Sequence, residues 1–205
     1  MAVELRSAKA AATRDQILDA AARLILLRGY HGTSLDDVLR ESGVGKGNFY
    51  YYFRSKEDLG FAIIDRVVER FLERTLEPAF VDPTADPLEQ VCGFLDRLRE
   101  AQRQRNCVGG CAMGNLACEL SDVHEGFRRR LAAIFERWRM MVAATLERGR
   151  EWGRLRPDLD AGSAAGFVVA ALEGAILMAK VTKDISVMEK CVAELKQHLT
   201  LYARV

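Results

Sequence analysis

Apolar residues recur at intervals of three and four along most of the chain, and this spacing predicts a succession of α-helices. In the first, Ile17, Ala21 and Leu24 share one face, Thr13 is the expected N-cap, and Gly29 follows the last turn. The dozen residues before Thr13 are small and polar and are predicted to form an arm. No segment alternates apolar and polar residues as a half-buried strand does. We therefore predict an all-α fold of about nine helices.

The later helices are also bounded by capping and breaking residues. Ser55 precedes a helix expected to run from Lys56 to Pro78, and Pro83 and Pro87 bracket the connector that follows it. The next two helices are expected over residues 88–104 and 112–120. Ser121 and Asp122 should cap a long helix that ends near Gly149. Residues 161–182 and 185–203 should form the last two helices.

Residues 33–56 contain two short helical patterns separated by Ser42-Gly43-Val44. Two helices joined by a short turn that contains glycine are typical of the helix-turn-helix motif, whose second helix enters the major groove of DNA. Thr33 and Ser34 can cap the first helix, and Asp36 and Asp37 in its first turn suit the positive end of the helix dipole.

The second helix of this motif has one core face and one polar, aromatic face. Phe49 and Phe53 are four residues apart and should point inward. Lysine and tyrosine hydroxyls suit phosphate oxygens, and an asparagine can bond a base edge. The predicted DNA-binding residues are Thr33, Ser34, Lys46, Gly47, Asn48, Tyr50, Tyr51, Tyr52 and Lys56, with Asn48 as the expected base contact.

This region resembles the DNA-binding domain of the tetracycline-repressor (TetR) family. The resemblance rests on the helix from Arg14 to Tyr30, on Thr33-Ser34-Leu35, and on the Gly-Val turn and aromatic run from Gly43 to Leu59. Lys46-Gly47-Asn48 departs from the small or proline-bearing residues that are commoner in the family. The segment GCAMGNLACELSD, residues 110–122, shows a looser resemblance to one branch of TetR-like ligand domains, in which it lines the pocket.

The resemblance implies a homodimeric transcription factor that responds to a ligand, most simply a repressor that a small molecule releases from a palindromic operator on double-stranded DNA. It implies a DNA-binding domain over residues 1–58 and a ligand-binding and dimerisation domain over residues 59–205. Two alternatives remain open. One is a DNA-binding adaptor whose C-terminal domain binds protein, and the other is an all-α small-molecule carrier or enzyme.

The distribution of charge fits a separate DNA-binding module. The net charge of the 205-residue chain is only +1. Residues 1–56 contain nine lysines or arginines and six acidic residues, a net charge of +3, whereas the remainder has a net charge of −2. Five cysteines without a signal peptide indicate a reducing cytoplasm. The longest apolar run, residues 164–172, is shorter than the roughly 20 residues that span a bilayer, so no membrane partner is expected.

The C-terminal region offers candidates for an effector pocket. The wall of such a pocket is mostly apolar with a few polar groups, and methionine adapts to varied ligands. The predicted lining is Phe94, Leu98, Cys111, Met113, Asn115, Trp138, Met141, Phe167 and Glu173. Glu173 stands almost alone in an apolar helix, so it should meet water at a rim or interface, or pair with a partner or ligand, because an unpaired buried carboxylate is costly.

The last two helices are predicted to form a two-fold dimer. Gly166, Ala170 and Gly174 are spaced at four, so three small residues share a stripe on which another helix can pack closely. A helix that is apolar on nearly every side must be buried. The expected interface residues are Gly166, Ala170, Gly174, Leu177, Val192, Leu195 and Leu199.

No pattern of residues indicates an enzyme, a cofactor or a metal site. The three histidines are far apart and lie in no catalytic motif. Cys107, Cys111 and Cys118 are most simply core residues, and their spacing is irregular for structural zinc. Two further readings stay open for them. One is a metal site completed by Asp122 or His124. The other is a redox- or electrophile-sensitive switch at Cys111, whose place at a helix start would lower its thiol pKa.

Overall fold

The computed structural model describes residues 2–204, with side chains for residues 9–204, and this part of the chain is helical with no β-sheet. The N-terminal helices are α1 (Ala2–Arg28), α2 (Leu35–Ser42) and α3 (Lys46–Tyr52). Helix α4 (Lys56–Phe71) continues through a π-helical turn (Leu72–Leu76) into a last short turn (Glu77–Ala79). Five more helices follow: α5 (Pro87–Gln104), α6 (Ala112–Leu120), α7 (Glu125–Glu151), α8 (Ala161–Thr182) and α9 (Ile185–Thr200). The nine helices and the all-α class agree with the prediction.

Two helix starts differ from the prediction. The expected arm is wrong, because α1 begins at Ala2 and Thr13 lies inside it, where its hydroxyl donates to the carbonyl of Lys9 at 3.0 Å. The N-cap of α7 is His124 rather than Ser121 or Asp122. Its ring nitrogen Nδ1 accepts the backbone N–H of Phe127 at 3.2 Å, and the same side chain can reach Glu57 on α4.

The π-turn was also not predicted. The backbone N–H of Glu77 bonds the carbonyl of Leu72, five residues back. The next residue, Pro78, has no N–H to donate to Arg74, and its ring cannot pack against that carbonyl in a regular helix. A wider turn avoids this clash, so the helix continues while its face changes.

The core is continuous from the N-terminal helices to the C-terminal ones. Ile17 and Leu18 of α1, Phe49 of α3 and Trp138 of α7 are all essentially inaccessible to solvent and belong to one apolar cluster. Arg66 of α4 ties the two regions together through Asp15 and Asp19 of α1, with N···O distances of 2.7–3.0 Å.

Helix α8 is long and apolar enough, by length and composition alone, to cross a membrane. In the structure it packs against α7 and α9, with Val168 and Leu172 in the core. Glu173 and Lys180 interrupt its apolar sequence. Helix α8 is therefore a core helix of the bundle, and a second apolar face of it is exposed.

Candidate nucleic-acid interface and adjoining cavity

Helix α2 and the turn after it are held in place by local hydrogen bonds. The Ser34 hydroxyl accepts the backbone N–H of Asp37 at 3.1 Å, and the Asp37 carboxylate accepts the backbone N–H of Ser34 at 3.1 Å, which completes a capping box. Gly43 ends α2 with φ of 65°, a conformation that glycine adopts without steric cost. On the turn, Val44 packs into the core, so the start of α3 is fixed.

Helix α3 separates its residues into a buried face and a free one. Phe49 and Phe53 are buried, as predicted, and their rings lie 5.6 Å apart. Lys46 and Asn48, in the first turn of α3, are exposed. Tyr51 is 77% exposed, which is unusual for so large an apolar ring unless a partner covers it. The free face therefore combines a cation, an amide and phenol hydroxyls, which are groups that contact DNA.

Three of the predicted DNA-binding residues are buried or partly buried and contact other parts of the protein. Thr33 is only 1% exposed, and its hydroxyl donates to the carbonyl of Gly29 at 2.8 Å. Tyr52 is half-buried and packs against the core. The Lys56 ammonium lies 4.5 Å from the centre of the Tyr30 ring, where burial lowers its pKa. Of the predicted residues, Lys46, Gly47, Asn48, Tyr50 and Tyr51 are exposed on α3.

A cavity of about 600 Å³ adjoins this motif, between the last turn of α1 and the helices α6 and α8. Its apolar wall includes Ile25, Leu26, Ile176 and Leu177. A ligand held in this cavity would contact both α1, which leads into the helix-turn-helix motif, and the C-terminal bundle.

Three of the predicted pocket residues meet at this cavity, namely Cys111, Asn115 and Glu173. The other six lie elsewhere in the protein. Phe94, Leu98, Met113 and Trp138 are buried in the packed core, and Met141 packs partly buried against it. Phe167 is 50% exposed on α8, with its ring centre 5.1 Å from that of His198.

The Glu173 carboxyl group lies at the cavity with few hydrogen-bond donors around it. Its Oε1 is sealed from solvent and has no hydrogen-bond partner among the described residues. The Cys111 thiol donates to the carboxylate, but burial outweighs this bond and raises the pKa of Glu173. An added methyl group at Gly114 would lie 2.5 Å from Oε2, so only glycine leaves room for this carboxyl group.

The Cys111 thiol does not have the lowered pKa that its place at a helix start predicted. Cys111 is the N-cap of α6, and its sulfur accepts the backbone N–H of Gly114 at 3.4 Å. Burial and the neighbouring Glu173 nevertheless raise its thiol pKa to about 12, so the expected lowering by the helix start is wrong. All five cysteines are free, and no group of three or more metal-ligating side chains occurs among the described residues.

Glu119 of α6 forms a link that sequence reasoning did not identify. Its carboxylate accepts the backbone N–H groups of Tyr30 and His31 at 2.7 and 2.6 Å, and His31 Nδ1 lies 3.0 Å from it. It also fills the space beside Gly29, where a Cβ atom would lie 2.9 Å from an oxygen. Burial raises the pKa of Glu119, but these hydrogen bonds outweigh it and leave the pKa below its ordinary value. The only signal in the sequence was a single acid in a short apolar helix.

A lysine and an asparagine form a second polar group in the cavity. The Lys180 ammonium donates to Asn115 Oδ1 at 2.8 Å, and Asn115 Nδ2 donates to the carbonyl of Gly109 at 2.7 Å. The first hydrogen bond ties α6 to the last turn of α8, and the second ties α6 to the loop before it. Unlike Glu173, Lys180 therefore already has an acceptor within the protein.

The predicted dimer residues fall into two groups. Ala170, Gly174 and Leu177 are exposed on α8, and an added Cβ atom at Gly166 or Gly174 would meet no other atom within 4 Å. Val192, Leu195 and Leu199 instead lie in the interior of the protomer, because that face of α9 packs on α8 and α5. These three side chains are thus covered before any second copy binds.

Comparison with known proteins shows what the chain is similar to. Residues 87–195 match the family model "Tetracyclin repressor-like, C-terminal domain", and residues 17–63 match "Bacterial regulatory proteins, tetR family". An HTH-type transcriptional regulator from the lacX 3' region of Lactococcus lactis is 34% identical over 177 residues, which cover 86% of this chain and 88% of that protein. The HTH-type transcriptional repressor DhaR of Mycobacterium sp. strain GP1 is 29% identical over 171 residues, 83% of this chain and 84% of DhaR.

The fold has close relatives among solved structures. A TetR transcriptional regulator from Chloroflexus aurantiacus superposes with a TM-score of 0.86 and is 29% identical, with 96% of this chain and 98% of that chain covered. The similarity thus extends over both the helix-turn-helix region and the C-terminal helices.

Proposed function

Because this chain belongs to the TetR family, whose members are ligand-responsive DNA-binding regulators and not enzymes, we propose that α3 contacts a palindromic operator and that a small molecule in the cavity releases the DNA. The observation that carries this proposal is the free face of α3 beside a cavity that reaches the last turn of α1. A cavity of about 600 Å³ favours a small-molecule effector over an adaptor that binds only protein.

The residues on α3 have distinct roles in this proposal. Lys46 and the hydroxyls of Tyr50 and Tyr51 position the helix on phosphates, and Asn48 reads a base edge. Gly47 lets the sugar-phosphate backbone approach the helix closely. Lys56, at the start of α4, stabilises the motif through the contact of its ammonium group with the Tyr30 ring.

Selection of duplexes from a random pool by the full-length protein, followed by titration of the selected site, tests the DNA contacts. Lys46→Ala should weaken specific and non-specific sites alike and flatten the salt dependence by about one unit, because one phosphate contact is lost. Asn48→Ala should cost about 1–3 kcal/mol at the specific site only. Lys190→Ala, an exposed lysine on α9, is the matched control. An intact salt slope in Lys46→Ala and intact specificity in Asn48→Ala would contradict the assignment.

Glu119 couples the cavity to the DNA-binding motif in this proposal. It lines the cavity and also holds the backbone at Tyr30 and His31, which joins α1 to α2. An effector that displaces this carboxylate or pushes on Ile25 and Leu26 favours a different orientation of the motif. Such a ligand weakens DNA binding only to the extent that it prefers the DNA-incompetent state.

Regulators of this family act as dimers, and we infer a two-fold dimer through the exposed face of α8. A palindromic operator then presents its half-sites about 34–36 Å apart, one helical turn of DNA, to the two copies of α3. Binding to chromosomal DNA and five free cysteines support action in the cytoplasm.

A further inference from the structure

The Glu173 carboxyl group, whose Oε1 has no hydrogen-bond partner among the described residues, points to the chemical class of the effector. We propose that the cavity binds a compact amphiphile whose protonated amine pairs with Glu173 and whose apolar part lies along α8 and the last turn of α1. The inference rests on the proposed function, because it names the ligand of the same cavity. It is carried by the cavity wall and by the hydrogen bonds that the polar groups in it already make.

Glu173 is the polar group in this wall that a ligand would satisfy. Glu119 accepts two backbone N–H groups, and Lys180 donates to Asn115, so both have partners within the protein. Glu173 receives only the weak donor of Cys111, and its Oε1 has none among the described residues. The torsion that orients a glutamate carboxyl group is broad, so a small rotation brings an oxygen to a ligand.

The charge of Glu173 favours an ammonium group over a neutral donor or an acid. A carboxylate buried among apolar side chains is stabilised most by an opposite charge that also donates a hydrogen bond. A ligand carboxylate at this end would instead repel Glu173. Burial raises the pKa of Glu173, which is the sign of a carboxylate that lacks such a cation.

The positions of the other cavity residues set the shape of the ligand. Lys180 is seven residues after Glu173 on α8, on the same face and about 10.5 Å further along the helix axis. Ile176 and Leu177 lie between them, with Leu26 on the opposite wall. An ammonium group at Glu173 is therefore kept away from the cation at Lys180 by an apolar segment of the cavity.

Calorimetric titration of the full-length protein with octylamine, 1-octanol and octanoate tests this inference, since the three probes share one tail. We expect octylamine to bind most tightly, and Glu173→Gln to weaken it at least about tenfold, as for the loss of a charge-assisted hydrogen bond. Octanol should bind Glu173→Gln and the wild type alike. Glu151→Gln, an exposed acid at the end of α7, should change neither affinity. Circular dichroism establishes that each variant is folded.

Three outcomes would overturn the ligand class. Octylamine could fail to bind, it could bind Glu173→Gln as tightly as the wild type, or octanoate could bind best and lose its affinity in Lys180→Met. Each leaves the proposed regulator intact if the wild type still binds its selected operator. Failure of operator binding in the wild type would instead count against the proposed function.

Discussion

Two glutamates of one cavity have opposite pKa shifts, and the difference follows from their hydrogen bonds. Glu119 receives two backbone N–H groups that favour its charged form, whereas Glu173 receives one thiol and is otherwise desolvated. The sequence places both as acids in apolar helices and does not distinguish them. Their partners, Tyr30 and His31 in one case and Cys111 in the other, lie on other parts of the chain.

Glu173 should destabilise the folded protein. Its folded-state pKa is raised above 4.5, so the folded chain binds its proton more tightly than the unfolded chain, and stability falls as pH rises from about that value. Glu173→Leu should increase the free energy of unfolding at neutral pH by about 1–3 kcal/mol, because the unsatisfied carboxylate is removed. Urea denaturation measures this, with the exposed Glu151→Leu as control. A loss of stability in Glu173→Leu that grows with pH would show that the carboxylate is well satisfied.

Glu119 should show the opposite dependence on pH. Its folded-state pKa is lowered below 4.5, so its contribution to stability is present above that pH and is lost as pH falls through the folded-state value. Glu119→Gln should therefore be less stable than the wild type at neutral pH, and the two should converge on acidification. Urea denaturation at a series of pH values measures the difference. A gap that stays constant down to the lowest pH at which both fold would exclude an ionised acceptor.

At the scale of the helices, much of the fold could be predicted because apolar spacing and caps are local signals. The helix-turn-helix was predicted correctly from the cap at Ser34, the turn at Gly43 and the spacing of Phe49 and Phe53. The π-turn before Pro78 was not predicted, because a proline was expected to end the helix rather than to widen one turn of it. The length of α1 was not predicted either, because Thr13 was expected to cap the helix and instead lies inside it. For the cavity, Glu173 was identified from its isolation in an apolar helix.

The rest of the cavity depends on contacts between distant segments. The wall formed by Ile25 and Leu26 could not be predicted, since nothing in α1 indicates that α8 approaches it. The same limit applied to Glu119, whose partners are about 90 residues away along the chain. Val192 and its neighbours on α9 were assigned to the dimer because an apolar stripe alone does not say which surface covers it.

The exposed face of α8 should carry the dimer. Gly166→Leu should shift the protein towards monomer and weaken operator binding together, because the side chain enters space that only a second copy would fill. Gly93→Leu on α5, a helical glycine whose Cβ position is also open, is the matched control. Analytical ultracentrifugation measures the association. A Gly166→Leu variant that remains a dimer with full operator affinity would exclude this face.

In the whole molecule, the N-terminal helices and the C-terminal bundle share one apolar core and are joined by several further contacts. Arg66 ties α4 to α1, the Tyr30 ring packs against Phe127 of α7, and Glu119 holds the backbone between α1 and α2. Of these contacts, the one made by Glu119 also lines the cavity. This carboxylate is therefore a contact through which a ligand in the cavity would act on α3.

The operator affinity of Glu119→Gln is the measurement that tests this coupling most directly. Fluorescence anisotropy with the selected duplex should give a dissociation constant raised about tenfold over the wild type, because a charged acceptor of two backbone N–H groups is lost. Glu151→Gln should bind as the wild type does, and affinity for unrelated duplex should be the same in all three proteins. Equal operator affinity of Glu119→Gln and the wild type would contradict the link from the cavity to α3.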